Sequence, residues 1–159
     1  MQPELSDARA YNGRGITYLK KGQYNQAISD FTKALEIIPR FAAAYNNRGL
    51  AYSKKGQYDK AISDFTKALE TNPRYAMAYS GRGLAYAIKG KYDKAISDFN
   101  MALEINPRFG PAYIGRGLAY FEKGQYDKAW EDVQKAQGLG AKINPRFHKA
   151  LRKASGRQK

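Results

Sequence analysis

The chain has no cysteine, and one histidine and one tryptophan in 159 residues. Without cysteine there is neither a disulfide framework nor a thiol nucleophile, and the redox compartment stays undetermined. The lone histidine, His148, stands among lysines near the carboxyl end. No group of residues has metal-ligand spacing, no glycine-rich loop follows a strand pattern, and no cofactor is expected. No apolar run approaches the roughly 20 residues that cross a bilayer. The amino-terminal ten residues carry Glu4 and Asp7 and lack the apolar stretch of a signal peptide, so a cytoplasmic setting is the expectation. Negative charge is scarce as well. Asp and Glu number 14 against 28 Lys and Arg, for a net charge of +14.

What the chain does have is a period. Tyr11, Tyr45, Tyr79 and Tyr113 stand 34 residues apart, each followed by Arg-Gly and then by a second tyrosine. Units of 8–41, 42–75, 76–109 and 110–143 follow, and the second and third agree at 24 of 34 positions. Within the second unit, Tyr45, Gly49 and Tyr52 recur at helical spacing, and Gly56 marks the end of that helix. Asp59 opens a second helix at the positive end of its dipole. That helix carries an apolar stripe of Tyr58, Ala61, Ile62, Phe65, Ala68 and Leu69, and Asn72-Pro73 stops it. Two helical blocks per 34 residues signal a stacked helix-hairpin array, which buries its core between neighbours and offers a long concave surface. One domain suits a chain of this length.

The residues Tyr45-x-x-Arg48-Gly49-x-x-Tyr52, Ala61-x-x-x-Phe65, Ala68 and Pro73 resemble the tetratricopeptide repeat family, whose pattern is W-x-x-L-G-x-x-Y, A-x-x-x-F, P. Tyr stands for Trp, and Arg stands for Leu in every unit. The resemblance spans residues 8 to about 137. It implies an all-α, right-handed superhelix of four hairpins that binds protein segments without catalysis. The regular units and basic ending are similar to those of bacterial members.

The arginines at that leucine place need a partner if they face inward. Each unit has one carboxylate beside its buried Phe-type position, pairing Arg14 with Asp30, Arg48 with Asp64, Arg82 with Asp98 and Arg116 with Asp132. Bidentate Arg–carboxylate bridges between the two helices of each hairpin are the expected arrangement. A ladder of arginines contacting a ligand is the alternative. Carboxylates that recur once per unit behave as architecture, whereas a catalytic site would break the repeat at one place.

In the family, places two, five, nine and twelve of each repeat line the concave groove. The resemblance carries these onto Arg9, Asn12, Ile16 and Leu19; Ala43, Asn46, Leu50 and Ser53; Met77, Ser80, Leu84 and Ala87; and Pro111, Ile114, Leu118 and Phe121. Asn47 is added as the one match to the clamp by which some members hold chaperone carboxyl termini. The other clamp places hold Asn12, Ile16, Met77 and Gly81 instead of the required cations and asparagine, so chaperone tails are not the expected ligand. The track Ile16, Leu50, Leu84 and Leu118 suits an extended or amphipathic helical segment. Those residues could equally pack between neighbouring first helices.

Twelve of the thirteen tyrosines sit at three fixed places, as Tyr45, Tyr52 and Tyr58 do, which assigns them to hairpin contacts and not to base stacking. Phe41, Tyr75, Phe109 and Phe147 read as one staple series before successive helices. Unit four departs from the pattern. Trp130 and Val133 replace the usual Ile and Phe, and about four extra residues, against the 34-residue period, precede Asn144-Pro145. A capping helix over about 145–155 is expected, with Phe147, Ala150, Leu151 and Ala154 inward and His148, Lys149, Arg152 and Lys153 opposite. A basic tail, 156–159, completes the chain. Residues 142–159 hold seven Lys or Arg and no acid, which keeps open an adaptor role on nucleic acid or anionic membrane. Self-association through the near-identical units is a third reading.

Overall fold

The structure, a computed structural model, describes residues 3–157, with α-helices and no strand among them. The helices are α1 (Pro3–Lys20), α2 (Tyr24–Ile37), α3 (Ala42–Lys54), α4 (Tyr58–Thr71), α5 (Ala76–Ile88), α6 (Tyr92–Ile105), α7 (Gly110–Glu122), α8 (Tyr126–Gly138) and α9 (Pro145–Ala154). Consecutive helices pack as hairpins, and the odd-numbered first helices also touch one another from α1 to α7. The result is the all-α helix-hairpin superhelix that the period implies.

Each hairpin turns on one glycine. Gly22, Gly56, Gly90 and Gly124 have φ of 74, 73, 71 and 72°, a left-handed conformation that glycine adopts without a Cβ penalty. At the second hairpin Gly56 N donates to Ser53 O at 3.0 Å and Gln57 N to Tyr52 O at 2.9 Å, which satisfies carbonyls left over at the helix end. Gly56→Ala is expected to destabilise by about 1–2 kcal/mol, the cost of a left-handed Cβ, as read from chemical denaturation. Second helices stop at Asn72 and Asn106, whose side-chain oxygens accept from Arg74 N and Arg108 N at 3.1 Å.

The core is a row of phenylalanine rings, each held by glycine. Phe65 lies against Gly49 of its own hairpin and Gly81 of the next, and Phe99 lies against Gly83 and Gly115 in the same way. A Cβ at Gly81 or Gly115 would fall 2.6 or 2.4 Å from those rings. Small residues there set how closely one unit approaches the next. The tyrosines are half-buried, and Lys60, Lys67, Lys94, Lys128 and Lys135 lie over tyrosine faces at 5.5–5.7 Å.

The carboxyl end is built differently. Asn144 caps α9 by accepting from Arg146 N at 2.9 Å, and Pro145 takes the first helical position. Phe147 and Leu151 pack with Ile143 against Ala129, Val133, Phe121 and Trp130 of α7 and α8. Ala150 and Ala154 are exposed, so the inward stripe is narrower than helical spacing implied. His148 leaves the solvent face and stacks on Trp130 at 5.4 Å. Phe147 also leaves the staple series: Phe41, Tyr75 and Phe109 are cap residues, whereas Phe147 lies inside α9 because Asn144 starts that helix earlier. Arg157 is docked and not part of a free tail, pairing with Asp127 at 3.0 Å over Trp130. Gln158 and Lys159 lie outside the described residues.

Candidate ligand groove and its supports

The groove rests on the four Arg–Asp pairs. Arg14 holds Asp30 at 2.6 and 2.8 Å, Arg48 holds Asp64 at 2.7 and 2.9 Å, Arg82 holds Asp98 at 2.8 and 2.9 Å, and Arg116 holds Asp132 at 2.8 and 2.7 Å. Each is a fork of two parallel bonds from the first helix of a hairpin to its second, the strongest form of this contact. The remaining guanidinium nitrogen reaches back one unit: Arg48 to Thr32 at 3.0 Å, Arg82 to Thr66 at 3.1 Å, and Arg116 to Asn100 at 2.6 Å. Burial opposes the charge on Arg48, but the bond and attraction from Asp64 outweigh it and raise the pKa. For Arg82 and Arg116 the carboxylate hydrogen bond is the largest influence, and it too raises the pKa. Every guanidinium nitrogen of Arg48, Arg82 and Arg116 thus bonds within the array.

A second set of bonds runs along the edge of the array. Lys55 donates to Asn25 at 2.5 Å, Lys89 pairs with Asp59 at 2.5 Å, and Lys123 pairs with Asp93. The Lys89 ammonium pulls the Asp59 carboxyl below its ordinary range. These lysines link each unit to the one before it.

The residues assigned to the groove do not share one environment. Ile16 and Leu19 pack on the Ala27–Phe31 core, Leu50 packs on the Phe65 core, and Ala87 packs on the Phe99 core. Asn46 is fully buried and is withdrawn from the accessible set. Its amide donates to Asn47 at 3.4 Å, and Asn47 donates to Asn12 at 3.1 Å. Phe121 is occupied by Tyr126 at 5.5 Å and Phe147 at 5.6 Å. Ser53, Ser80 and Ile114 are half-exposed.

What stays open lies on α5. Met77, Leu84 and Ile88 are 51, 47 and 52% exposed and recur at intervals of seven and four, which is one face of a helix. Leu84 and Ile88 open with Leu118 of α7 onto a cavity of about 300 Å³ floored by Ala87, Gly115 and Ala119 and rimmed by Glu122. Ile88 was not among the residues that the resemblance assigned. Its signal was available: the same repeat place holds Lys20, Lys54 and Glu122, so Ile88 is the one apolar departure. Among the described residues there is no group of His, Cys, Asp or Glu that could hold a metal ion, and no helix is long and apolar enough to cross a membrane.

The profile described as Tetratricopeptide repeat matches residues 8–41, 42–75 and 76–109, and a second of the same description matches residues 99–131. The chain belongs to the tetratricopeptide repeat family, whose fold is a protein-interaction module. No curated protein sequence matches it as a relative. Among solved structures it is similar to MamA, at 33% identity over 84% of this chain and 78% of that one, with a TM-score of 0.77. It is also similar to the second TPR domain of human RPAP3 in complex with the HSP70 peptide SGPTIEEVD (28% identity, 73% and 97% covered, TM-score 0.70). The first TPR of Spaghetti bound to the HSP90 peptide SRMEEVD is a further similar structure, at 27% identity with 86% and 95% covered and a TM-score of 0.67.

Proposed function

We propose that this protein is a non-catalytic scaffold that takes an apolar protein segment, extended or helical, against α5 and α7. The exposed run Met77, Leu84 and Ile88 carries the reading, because these are the three most exposed large apolar side chains among the described residues and they share one helix, whereas Leu5 and Met101, also exposed, stand singly on α1 and α6. Contiguous exposed apolar surface rimmed by polar residues is characteristic of protein-binding sites. The ligand differs from the acidic chaperone peptides bound by two of the similar structures. At the two cationic places on α5 this chain has Met77 and Gly81, and Asn47 is already bonded to Asn12.

The test is Leu84→Lys combined with Ile88→Lys. Two charges that must be desolvated against an apolar ligand oppose binding. Capture of the partner from the source cells should fall by at least about tenfold, equivalent to about 1.4 kcal/mol, while helical content and melting stay at wild-type values. Loss of the fold, or undiminished capture, would overturn the assignment of this face.

A second reading follows from Lys142, Arg146, Lys149, Arg152 and Lys153, all exposed at one end with no acidic residue beyond Asp132. That surface would hold a polyanion such as nucleic acid or an anionic membrane. Salt separates the two modes, since phosphate binding weakens steeply with ionic strength and apolar groove binding does not.

A further inference from the structure

We infer that the outer face of α1 is a docking face for the second helix of another repeat, and that the occupant it fits is α8 of a second copy of this chain, taken in exchange for α9.

The face is defined by the three junctions inside the array. In each, the first helix of one unit meets the second helix of the unit before through two buried alanines: Ala44 and Ala51, Ala78 and Ala85, Ala112 and Ala119. Ala44 packs on Ala34 and Leu35, Ala51 on Ala27 and Phe31, and Ala78 on Phe65 and Leu69. Between the alanines, Gly81 and Gly115 admit the phenylalanine ring of that earlier unit. The arginine one residue further then donates across the junction to Thr32, Thr66 or Asn100.

In α1 the same places hold Ala10, Gly13 and Thr17, and all three are exposed. A Cβ at Gly13 would meet nothing within 4 Å. Arg14 keeps its fork on Asp30 with no earlier unit to reach among the described residues, and its side chain is 54% exposed where Arg48, Arg82 and Arg116 are at 15, 19 and 18%. So α1 offers the first alanine, the open glycine and the spare donor of a junction, with Thr17 in place of the second alanine.

The other half exists once per chain. On α8, Ala129, Val133, Gln134 and Ala136 stand where α2 has Ala27, Phe31, Thr32 and Ala34. Gln134 is exposed, and its amide oxygen can accept from Arg14 as the Asn100 oxygen accepts from Arg116. Here α9 covers this helix, but it does so through Phe147 and Leu151 instead of an alanine–glycine face, and it leaves Ala150 and Ala154 in solvent. Exchange of α9 for α1 replaces one apolar cover by another. A tethered segment acts at an effective concentration on the order of 1 mM, so in dilute solution α9 prevails within its own chain. Where α9 is loosened, the contact between copies is head-to-tail and extends into open chains.

The experiment is sedimentation velocity on the full chain over a concentration series. Leu151→Asp should give a species whose size grows with concentration to dimers and beyond, while wild type stays monomeric over the same range. Adding Gly13→Arg, which fills open space in the monomer, should return the Leu151→Asp chain to monomer with its melting unchanged. A Leu151→Asp chain that stays monomeric to about 1 mM, the concentration set by the tether, overturns the proposal. Association that persists with Gly13→Arg overturns it too, because another face is then responsible. If Leu151→Asp loses its helical signal, Leu151→Ala with Phe147→Ala gives the same readings in its place.

Discussion

Replacing Arg48 by leucine is expected to destabilise the array by about 3–5 kcal/mol, although leucine is the family's own residue at that place. The Asp64 side chain is only 5% exposed, so the substitution leaves a carboxylate inside without its cation and removes the donor that Thr32 now has from Arg48. Leucine restores apolar packing but cannot satisfy either oxygen. Replacing both, Arg48→Leu with Asp64→Leu, should recover most of the loss, because an apolar pair avoids the desolvation that the ion pair must overcome. The coupling in the double-mutant cycle, read from urea denaturation, should be far above the few tenths typical of exposed pairs. Additive effects would mean that the fork contributes nothing and that Arg48 is free for another role. The same substitution at Arg14 should have a smaller effect, since that guanidinium is half in water.

The second large effect is expected at Phe99. Its ring sits between Gly83 of its own hairpin and Gly115 of the next, so Phe99→Ala opens a cavity that belongs to two units, at a cost of about 3–5 kcal/mol. Gly115→Leu attacks the same contact from the other side. Its side chain would start 2.4 Å from the ring, and overpacking of this kind costs about 1–3 kcal/mol or more. Joining Gly115→Leu to Phe99→Val should return part of each loss, because small against large is how Val133 and Leu151 meet at the carboxyl end. Thermal melts of the three variants check this. A double variant less stable than both single ones would show that the backbone spacing, and not side-chain volume, limits the junction.

The fold was legible because each local rule points to the same period. Gly56 fixes the hairpin turn, Asn72-Pro73 ends the second helix, and Ala61 with Phe65 names the buried stripe, so helix ends and core follow from residue chemistry within one unit. The Arg48–Asp64 fork was legible for a related reason, since an inward charge must have a partner and each unit offers one. The groove was not legible to the same degree. Leu50 and Leu84 occupy the same repeat place, yet Leu50 packs on the Phe65 core while Leu84 stands 47% exposed. Periodicity names the face of a helix but not what the neighbouring unit puts against it. Asn46, fully buried although polar and assigned to the groove, is the same failure with the opposite sign. At the carboxyl end, Asn144 and Pro145 announced α9, but which of its side chains turn inward depended on Trp130 and Phe121, which no local rule connects to it.

The bonds between units all point one way. Donors such as Arg48, Arg82, Lys55 and Lys89 lie on the later unit, and their acceptors, Thr32, Thr66, Asn25 and Asp59, lie on the earlier one. Each unit therefore reads only its predecessor, and all predecessors present much the same text. Cutting out residues 42–75 as a block would bring Arg82 against Thr32, Lys89 against Asn25 and Gly81 against Phe31, leaving no donor stranded. Array length is thus an editable quantity among the first three units, variable in steps of one unit without redesign of their junctions, while unit four must stay last because its Phe121, Trp130 and Val133 meet α9.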